Sequence, residues 1–156
     1  MKMNHVGISV ADIERSVAFY CDMLGMEQAS PVFPFAGPDF EEIMALDGAQ
    51  GRMCVVSTGD LHVELFEFSA PAPSPKDPAY SVGDRGISHF GIEVADIDSA
   101  YRRLSEAGVL IHSPIKTFPG GTKAIYARDP DGNVFELVES SKSAEPSNPL
   151  QMGSLA

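Results

Sequence analysis

Positively charged residues, cysteines and long apolar runs are all scarce in this sequence of 156 residues. Only 11 Lys and Arg stand against 22 Asp and Glu, and this net charge of -11 argues against nucleic acid, whose phosphates are bound by Lys and Arg. No apolar run approaches the roughly 20 residues that a membrane helix needs, so we expect no membrane span. The two cysteines, Cys21 and Cys54, are too few for a disulfide framework, and we expect both to be buried or half-buried free thiols.

The N-terminus also lacks the features of a signal peptide, because Met-Lys-Met-Asn leads directly into a predicted strand. We therefore expect a cytoplasmic protein. The hydrophobic share of 44% is normal for a globular chain, and the length suits one compact domain, which two half-size modules can build.

A ten-residue segment occurs twice in the chain. Residues 4–13 are Asn-His-Val-Gly-Ile-Ser-Val-Ala-Asp-Ile, and residues 88–97 are Ser-His-Phe-Gly-Ile-Glu-Val-Ala-Asp-Ile. Each copy alternates like a half-buried strand and runs into an Asp that can cap a helix. We interpret the pair as an internal duplication of a whole supersecondary unit.

The predicted elements follow that duplication. The first module, residues 3–68, has a strand at 4–10, a helix at 12–20, a short strand at 26–32, a loop at 33–40 that residues 41–45 extend or follow with a helical turn, and strands at 52–57 and 61–68. The second module, residues 87–139, has a strand at 87–94, a helix at 98–107 and strands at 109–113, 122–128 and 134–139. We expect a linker at 69–86 and a tail at 140–156 that is mobile or forms an arm on a partner subunit.

The functional hypothesis begins with one histidine and one glutamate in each module. His5 and His89 occupy the same point of the two first strands, and Glu64 and Glu136 occupy the same point of the two last strands. If a pseudo-twofold axis relates the modules, the four side chains converge. Two imidazoles and two carboxylates suit one divalent ion such as Zn, Ni, Co, Mn or Fe(II), with positions left for water or substrate oxygens.

Strand parity supports this metal hypothesis. His62, Glu64 and Phe66 share one face of a predicted strand, and both faces of that strand are largely apolar. Glu136 likewise shares a face with apolar neighbours. A carboxylate in such surroundings is expected to be paired or bound to a metal. A single strand His is more often a hydrogen-bonded core residue, but repetition of both His and Glu favours a metal site.

With these residues the sequence resembles the vicinal oxygen chelate superfamily of glyoxalases and methylmalonyl-CoA epimerases, over residues 3–139. The resemblance is carried by the two His-x-Gly-Ile segments, Phe19-Tyr20 with Leu24-Gly25-Met26, Glu64-Leu65, Asp129-Pro130-Asp131-Gly132-Asn133 and Phe135-Glu136-Leu137. It implies an α+β fold, a single domain over 1–139, in which two βαβββ modules form a cupped sheet around a metal, often in a homodimer.

The resemblance also implies the chemistry. The ligand positions match His5, Glu64, His89 and Glu136, a four-ligand set that is typical of glyoxalase I and of epimerases. These enzymes abstract a proton next to a carbonyl, and their metal stabilises the enediolate that forms. Ser9, where bacterial glyoxalase I has an Arg, and Leu65-Phe66-Glu67, where it usually has Thr-Tyr-Asn, argue against a glutathione substrate.

Three residues are candidates for the catalytic acid or base. Glu136 is one, since in the glyoxalase branch a ligand Glu can leave the metal and take the proton; the alternative is a permanent ligand. His62 shares the face of Glu64 and could act as acid or base; the alternative is a partly exposed or structurally bonded His. Tyr126 begins a Tyr-x-x-Asp-Pro-x-Gly segment that is similar to the extradiol dioxygenase signature, although the His upstream in that signature is absent; its alternative is core packing.

The sequence therefore predicts a divalent-metal isomerase, epimerase or lyase that acts on a small carbonyl compound. Two other classes remain open. One is an Fe(II) ring-cleaving dioxygenase, which Glu64 disfavours because oxygen and catechol both need open metal positions. The other is a metal-free protein that binds and sequesters a drug, which the four intact ligands disfavour.

Overall fold

The structure, a computed structural model, describes residues 3–75, 77 and 80–141. The chain divides into two compact units, Met1–Asp77 and Pro78–Ala156, and each predicted module lies in one of them. The predicted α+β class is confirmed, with one mixed sheet in each unit. Within the described residues, no helix has the length and apolar character needed to cross a membrane. The tail predicted at 140–156 lies outside the described residues from position 142 onwards.

The first unit contains a five-stranded sheet. Its strands are β1 (Val6–Ser9), β2 (Glu27–Gln28), β3 (Phe33–Ala36), β4 (Gln50–Thr58) and β5 (Leu61–Ala70). The order is β1-β5-β4-β2, with β3 also paired to β4, and only the β1–β5 pair is parallel. Helix α1 (Ile13–Ala18) continues into a π-helical turn at Phe19–Met23 and packs against β4 and β5.

The second unit repeats the central part of this topology. Its strands are β6 (Phe90–Glu93), β7 (Lys116–Thr117), β8 (Lys123–Arg128) and β9 (Val134–Glu139), in the order β6-β9-β8-β7. The β6–β9 pair is parallel, as β1–β5 is in the first unit. Helix α3 (Ile97–Glu106) buries Ile97, Ala100 and Leu104, and Gly108 follows it with a φ of 72°. The predicted turn at 129–133 is confirmed by hydrogen bonds that the Asp129 carboxylate accepts within it.

The segment 31–51 is more regular than the predicted loop. Phe33–Ala36 is the strand β3, paired antiparallel to β4, and Pro38–Met44 is a helix, α2, with Pro at its start. Pro34 is tolerated because β3 lies at the edge of the sheet, where a missing N–H costs no ladder bond. The strand predicted at 26–32 is reduced to Glu27–Gln28.

In the second unit, the prediction of a strand at 109–113 is wrong. Only an isolated bridge joins Ile111 to Ala127, although His112 and Arg128 form single backbone hydrogen bonds between this segment and β8. Pro114 follows directly and has no N–H to extend the pairing. The edge strand forms later, at Lys116–Thr117.

Both helices that follow the duplicated segment are fixed at their N-termini in the same way. Asp12 and Asp96 are the N-caps, and each accepts a backbone hydrogen bond at 2.9 Å from the third residue beyond it. A second carboxylate comes from the last strand of each unit: Glu67 accepts from the Ile13 N–H and Glu139 from the Ile97 N–H, both at 2.8 Å. These bonds satisfy N–H groups that a helix leaves unpaired.

Replacing Asp96 by Ala is expected to lower stability in a pH-dependent way. Hydrogen bonds from the Ser99 backbone N–H and hydroxyl hold the pKa of Asp96 below its usual value. A lowered folded pKa means that the contribution is present above the usual Asp pKa and is lost as pH falls through the lowered value. Urea denaturation of wild type and Asp96→Ala from pH 7 to pH 2 should show curves that converge in acid. Ser99→Ala, which removes one of the two bonds, should show a smaller gap, and a gap independent of pH would contradict the assignment.

The two cysteines are free, as expected. Cys54 is buried in β4, whereas Cys21 is partly exposed in the π-helical turn. Burial raises the pKa of the Cys54 thiol to about 11, so it remains protonated at neutral pH.

Candidate functional site

His5 and Glu64 are brought together in the first unit by the parallel pairing of β1 and β5. Gly7 is the partner of Glu64 in that register, and His5 lies two residues before Gly7, on the same face. The Nε2 atom of His5 is 3.5 Å from the Oε2 atom of Glu64. Two of the four predicted metal ligands, His5 and Glu64, are therefore in side-chain contact in the first unit.

His89 and Glu136 form the equivalent contact in the second unit. Gly91 of β6 is the register partner of Glu136, and the Nε2 of His89 lies 3.5 Å from Oε2 of Glu136. A Cβ atom added at Gly91 would lie 3.6 Å from that same Oε2, an ordinary van der Waals contact, so the carboxylate lies directly against this glycine. The same register thus produces the same contact twice.

Both imidazoles are oriented by the residue that precedes them. The Nδ1 of His5 lies 2.8 Å from Oδ1 of Asn4, and the Nδ1 of His89 lies 2.9 Å from Oγ of Ser88. Because a carbonyl oxygen only accepts, Nδ1 of His5 carries the proton and Nε2 of the neutral ring keeps its lone pair. A second hydrogen bond at the other ring nitrogen is what metal-binding histidines usually have.

The geometry of each pair fits a shared cation. A lone pair on Nε2 that faces a carboxylate oxygen is repulsive unless a proton or a metal ion lies between the two atoms. Two ligand atoms about 2.1 Å from one ion at the tetrahedral angle lie about 3.4 Å apart, close to the 3.5 Å of both pairs. Imidazole nitrogen with carboxylate oxygen is also the donor set of a borderline divalent metal.

The pair in the second unit is the more enclosed of the two. The Glu136 side chain is 11% exposed, against 26% for Glu64. Burial raises the pKa of Glu136, and His89 partly offsets this. A carboxylate that holds its proton more tightly is better suited to accept one from a substrate, so the local environment favours Glu136 as a base.

Replacing Glu136 by Gln is expected to stabilise the metal-free protein. Because the folded pKa of Glu136 is raised, the folded state prefers the protonated form, and its charge costs stability as pH rises through that value. At pH 8 with chelator present, the melting temperature of Glu136→Gln should lie above that of the wild-type protein. The gain should shrink towards pH 4. Glu64→Gln, at the more exposed site, is the control and should gain less; an equal gain at both sites or a loss at Glu136 would contradict the prediction.

Tyr126 contacts the second pair directly. It is the β8 partner of Glu136, and its hydroxyl lies 3.2 Å from Nε2 of His89, with the two ring centroids 4.5 Å apart. Burial, and then the charge of Glu136, raises the pKa of the Tyr126 phenol, so it remains a neutral hydrogen-bond donor. The candidate catalytic residue Tyr126 thus lies one hydrogen bond from a candidate ligand atom.

Comparison with known proteins identifies the family of this chain. The family model described as Glyoxalase/Bleomycin resistance protein/Dioxygenase superfamily matches residues 2–137. The chain belongs to this superfamily. The predicted resemblance is therefore confirmed.

Three similar proteins illustrate the range of the superfamily. YaeR of Escherichia coli strain K12, named as uncharacterized, is 31% identical over 88% of this chain and 95% of its own. A 2-epi-5-epi-valiolone epimerase of Actinomyces is 30% identical over 87% of this chain and 78% of its own. Among solved structures, a glyoxalase family protein from Bacillus cereus has a TM-score of 0.81 at 20% identity and covers 89% of this chain and 93% of its own, which confirms the fold.

The other two histidines, His62 and His112, lie outside the two His–Glu pairs and have different surroundings. His62 is exposed and pairs with Ser57 next to the β4–β5 turn, so its catalytic role stays a prediction. His112, which the sequence did not single out, has its ring centroid 6.3 Å from that of Tyr126. Burial, and then the charge of Arg128, lowers the pKa of His112, so its ring favours the neutral form. No sequence pattern marked His112, because its place beside Tyr126 depends on the pairing of the 109–113 segment with β8.

Two clusters of three carboxylates were also missed, one at Asp12, Glu14 and Glu67 and one at Asp96, Asp98 and Glu139. Each already has a cation: Arg52 bonds to Glu14 and Glu67, and Lys123 bonds to Asp98. Because Asp12 and Glu67 cap α1, and Asp96 and Glu139 cap α3, these clusters are structural features of the duplicated module.

Proposed function

We propose that this superfamily member is a divalent-metal-dependent isomerase, epimerase or lyase that acts on a small carbonyl compound. Its metal ligands are His5, Glu64, His89 and Glu136, and one ion of Zn, Ni, Co, Mn or Fe binds per chain. The observation that carries the proposal is the repeated contact of an oriented imidazole with a carboxylate at 3.5 Å, once in each unit.

The chain's own residues account for substrate orientation and proton transfer. When bound, the metal supplies a Lewis acid that polarises the substrate carbonyl. Glu136 would take the proton from the carbon next to that carbonyl when its carboxylate is not coordinated to the ion, since it is the more enclosed of the two carboxylates. The Tyr126 hydroxyl donates a hydrogen bond to a substrate oxygen. His62, on the same face as Glu64, is the second candidate to return or remove a proton.

The substrate is better described as an epimerase substrate than as a glutathione adduct. The relative from Actinomyces is named as an epimerase, at 30% identity. Lactoylglutathione lyases are also similar, such as those of Arabidopsis thaliana and fission yeast, at 25% and 30% identity over 45% and 50% of their own lengths. However, Ser9 takes the place of the Arg expected there for glutathione, and the Glu67 carboxylate caps α1.

Solvent exchange tests the reaction class directly. Chelator-treated protein is reloaded with one equivalent of Ni or Co and incubated in heavy water with methylmalonyl-CoA, the glutathione adduct of methylglyoxal and a set of α-hydroxyketones. Proton NMR should show metal-dependent loss of the proton next to a carbonyl for at least one compound, and Glu136→Gln should abolish it. No exchange in any compound would contradict the proposal.

The alternatives predict other outcomes of the same preparation. An extradiol dioxygenase would consume oxygen with Fe(II) and catechol and lose activity under anaerobic conditions with Ni. A drug-binding protein would purify without metal and fail to retain one equivalent after reloading. Light scattering tests the homodimer that the superfamily resemblance implies. Cell fractionation tests the cytoplasmic location that the N-terminal sequence led us to expect.

A further inference from the structure

A line of apolar side chains extends from Glu64 along the same face of β5. Glu64, Phe66 and Phe68 alternate along the strand and therefore share the face that points away from α1. Successive members are about 7 Å apart along the strand. Phe66 and Phe68 are half-buried, and their rings stack with centroids 6.0 Å apart.

Two more phenyl rings join this line from the segment between β2 and β4. Phe35 of β3 meets Phe66 and Phe68 edge-on, with centroid distances of 5.7 and 5.3 Å. Phe40 of α2 lies 5.2 Å from Phe35. The segment 33–44, which has no counterpart in the second unit, thus contributes half of a four-ring cluster, which we call the phenyl cluster (Phe35, Phe40, Phe66 and Phe68).

Among the described residues of this unit, no Lys or Arg is placed on the phenyl-cluster face. Among its described residues, the Lys and Arg side chains are Arg15, in α1, and Arg52. The Arg52 guanidinium bonds to Glu14 and Glu67, on the α1 side of the sheet. Met53 and Val55, which pair with Phe66 and Glu64, add apolar side chains to the phenyl-cluster face.

We propose that the phenyl cluster is a specificity subsite that binds an uncharged aromatic or branched alkyl substituent of the substrate. This inference rests on the proposed function, because the chelating end of the substrate is placed at the metal ligands. Phe66 is one alternation, about 7 Å, from Glu64, which is the reach of a substituent attached directly to the chelating oxygens. A carboxylate or phosphate on that substituent is rejected, because burying an unpaired charge against phenyl rings is costly.

Three hydroxamates serve as chelating probes of this subsite: acetohydroxamate, benzohydroxamate and 4-carboxybenzohydroxamate. Calorimetric titration of the Co-loaded protein should show benzohydroxamate binding about 10-fold or more tighter than acetohydroxamate, the gain from burying a phenyl group. The carboxylated probe should lose that gain. Phe66→Ala should remove the preference, and Phe66→Leu, which keeps most of the volume, should reduce it by about threefold if the alanine variant does not fold. Ile43→Ala, 82% exposed on α2, is the control and should keep it.

A metal-independent probe separates the subsite from the proposed function. Fluorine NMR of 4-fluorobenzyl alcohol with chelator-treated protein should show line broadening that Phe66→Leu reduces and Ile43→Ala does not. If Co fails to bind while this broadening is present, the metal proposal is wrong and the subsite is supported. Equal affinities of benzo- and acetohydroxamate, tighter binding of the carboxylated probe, or absence of broadening would each overturn the subsite.

Discussion

Replacing His89 by Ala is expected to weaken divalent-metal binding by about 100-fold or more. Loss of a ligand's hydrogen-bond partner alone usually costs 10–100-fold, and removal of the ligand atom itself should exceed that range. The loss should be severe at His89 because the ion would keep only the Glu136 carboxylate as a donor in this unit. Competition of the protein with a fluorescent chelator for Co or Zn measures the affinity.

Two variants make the His89 result specific. His62→Ala removes an exposed imidazole from the same protein and should leave the affinity unchanged. Ser88→Ala removes the oxygen near Nδ1 of His89 and should give an intermediate loss of about 10-fold. Wild-type affinity in His89→Ala would show that this imidazole is not a ligand, and a stoichiometry of two ions per chain would show that each pair binds separately.

The parts that the sequence predicted well are those repeated in it. The two His-x-Gly segments marked β1 and β6, and the glutamates of the last strands fell opposite the glycines in parallel register. The sequence placed His and Glu only at matching points of the two modules, and the parallel register is what makes each His the neighbour of its Glu. The caps at Asp12 and Asp96 followed from the same repeat.

The segment 31–51 was mispredicted because its structure depends on a partner. Pro31, Pro34, Gly37 and Pro38 are turn residues by local propensity, and Phe33–Ala36 becomes a strand only because the exposed edge of β4 accepts it. The helix α2 likewise has no buried residue, so the sequence shows no apolar periodicity there that would indicate a helix. The sequence of this segment alone does not show that the edge of β4 is open to pair with it.

Contacts that depend on the pairing and packing of the sheet strands also could not be predicted from the sequence. The distance between the Tyr126 hydroxyl and His89 depends on the pairing of β8 with β9, and the role of Glu67 as a second helix cap depends on how α1 crosses β5. A motif names the residue type at such a position, but only the register decides its partner. The duplicated units have kept the His–Glu contact and the doubled cap, and they differ most between the helix and the final hairpin.

Replacing Gly51 by Ala is expected to be strongly destabilising. A Cβ atom there would lie 2.1 Å from the backbone carbonyl oxygen of Glu67 and 2.9 Å from Cε1 of Phe35. The carbonyl belongs to β5 at an irregular point of the β4–β5 ladder and cannot move without breaking that pairing, which is the most extensive in the unit. We expect a loss of about 3 kcal/mol, the upper end of the usual cost of overpacking, and a fall in melting temperature of roughly 6–12 °C.

A second glycine provides the matched control for Gly51. A Cβ at Gly7 in β1 would meet only Cε2 of Phe66, at an ordinary contact distance of 3.8 Å, so Gly7→Ala should change stability little. Urea denaturation of both variants in chelator measures the difference without any contribution from bound metal. Because Gly51 also admits the ring of Phe35 into the phenyl cluster, Gly51→Ala should weaken the fluorobenzyl alcohol signal as well. A Gly51→Ala protein as stable as Gly7→Ala would mean that β3 and β5 do not approach β4 as closely as described, and the phenyl cluster would lose its geometric basis.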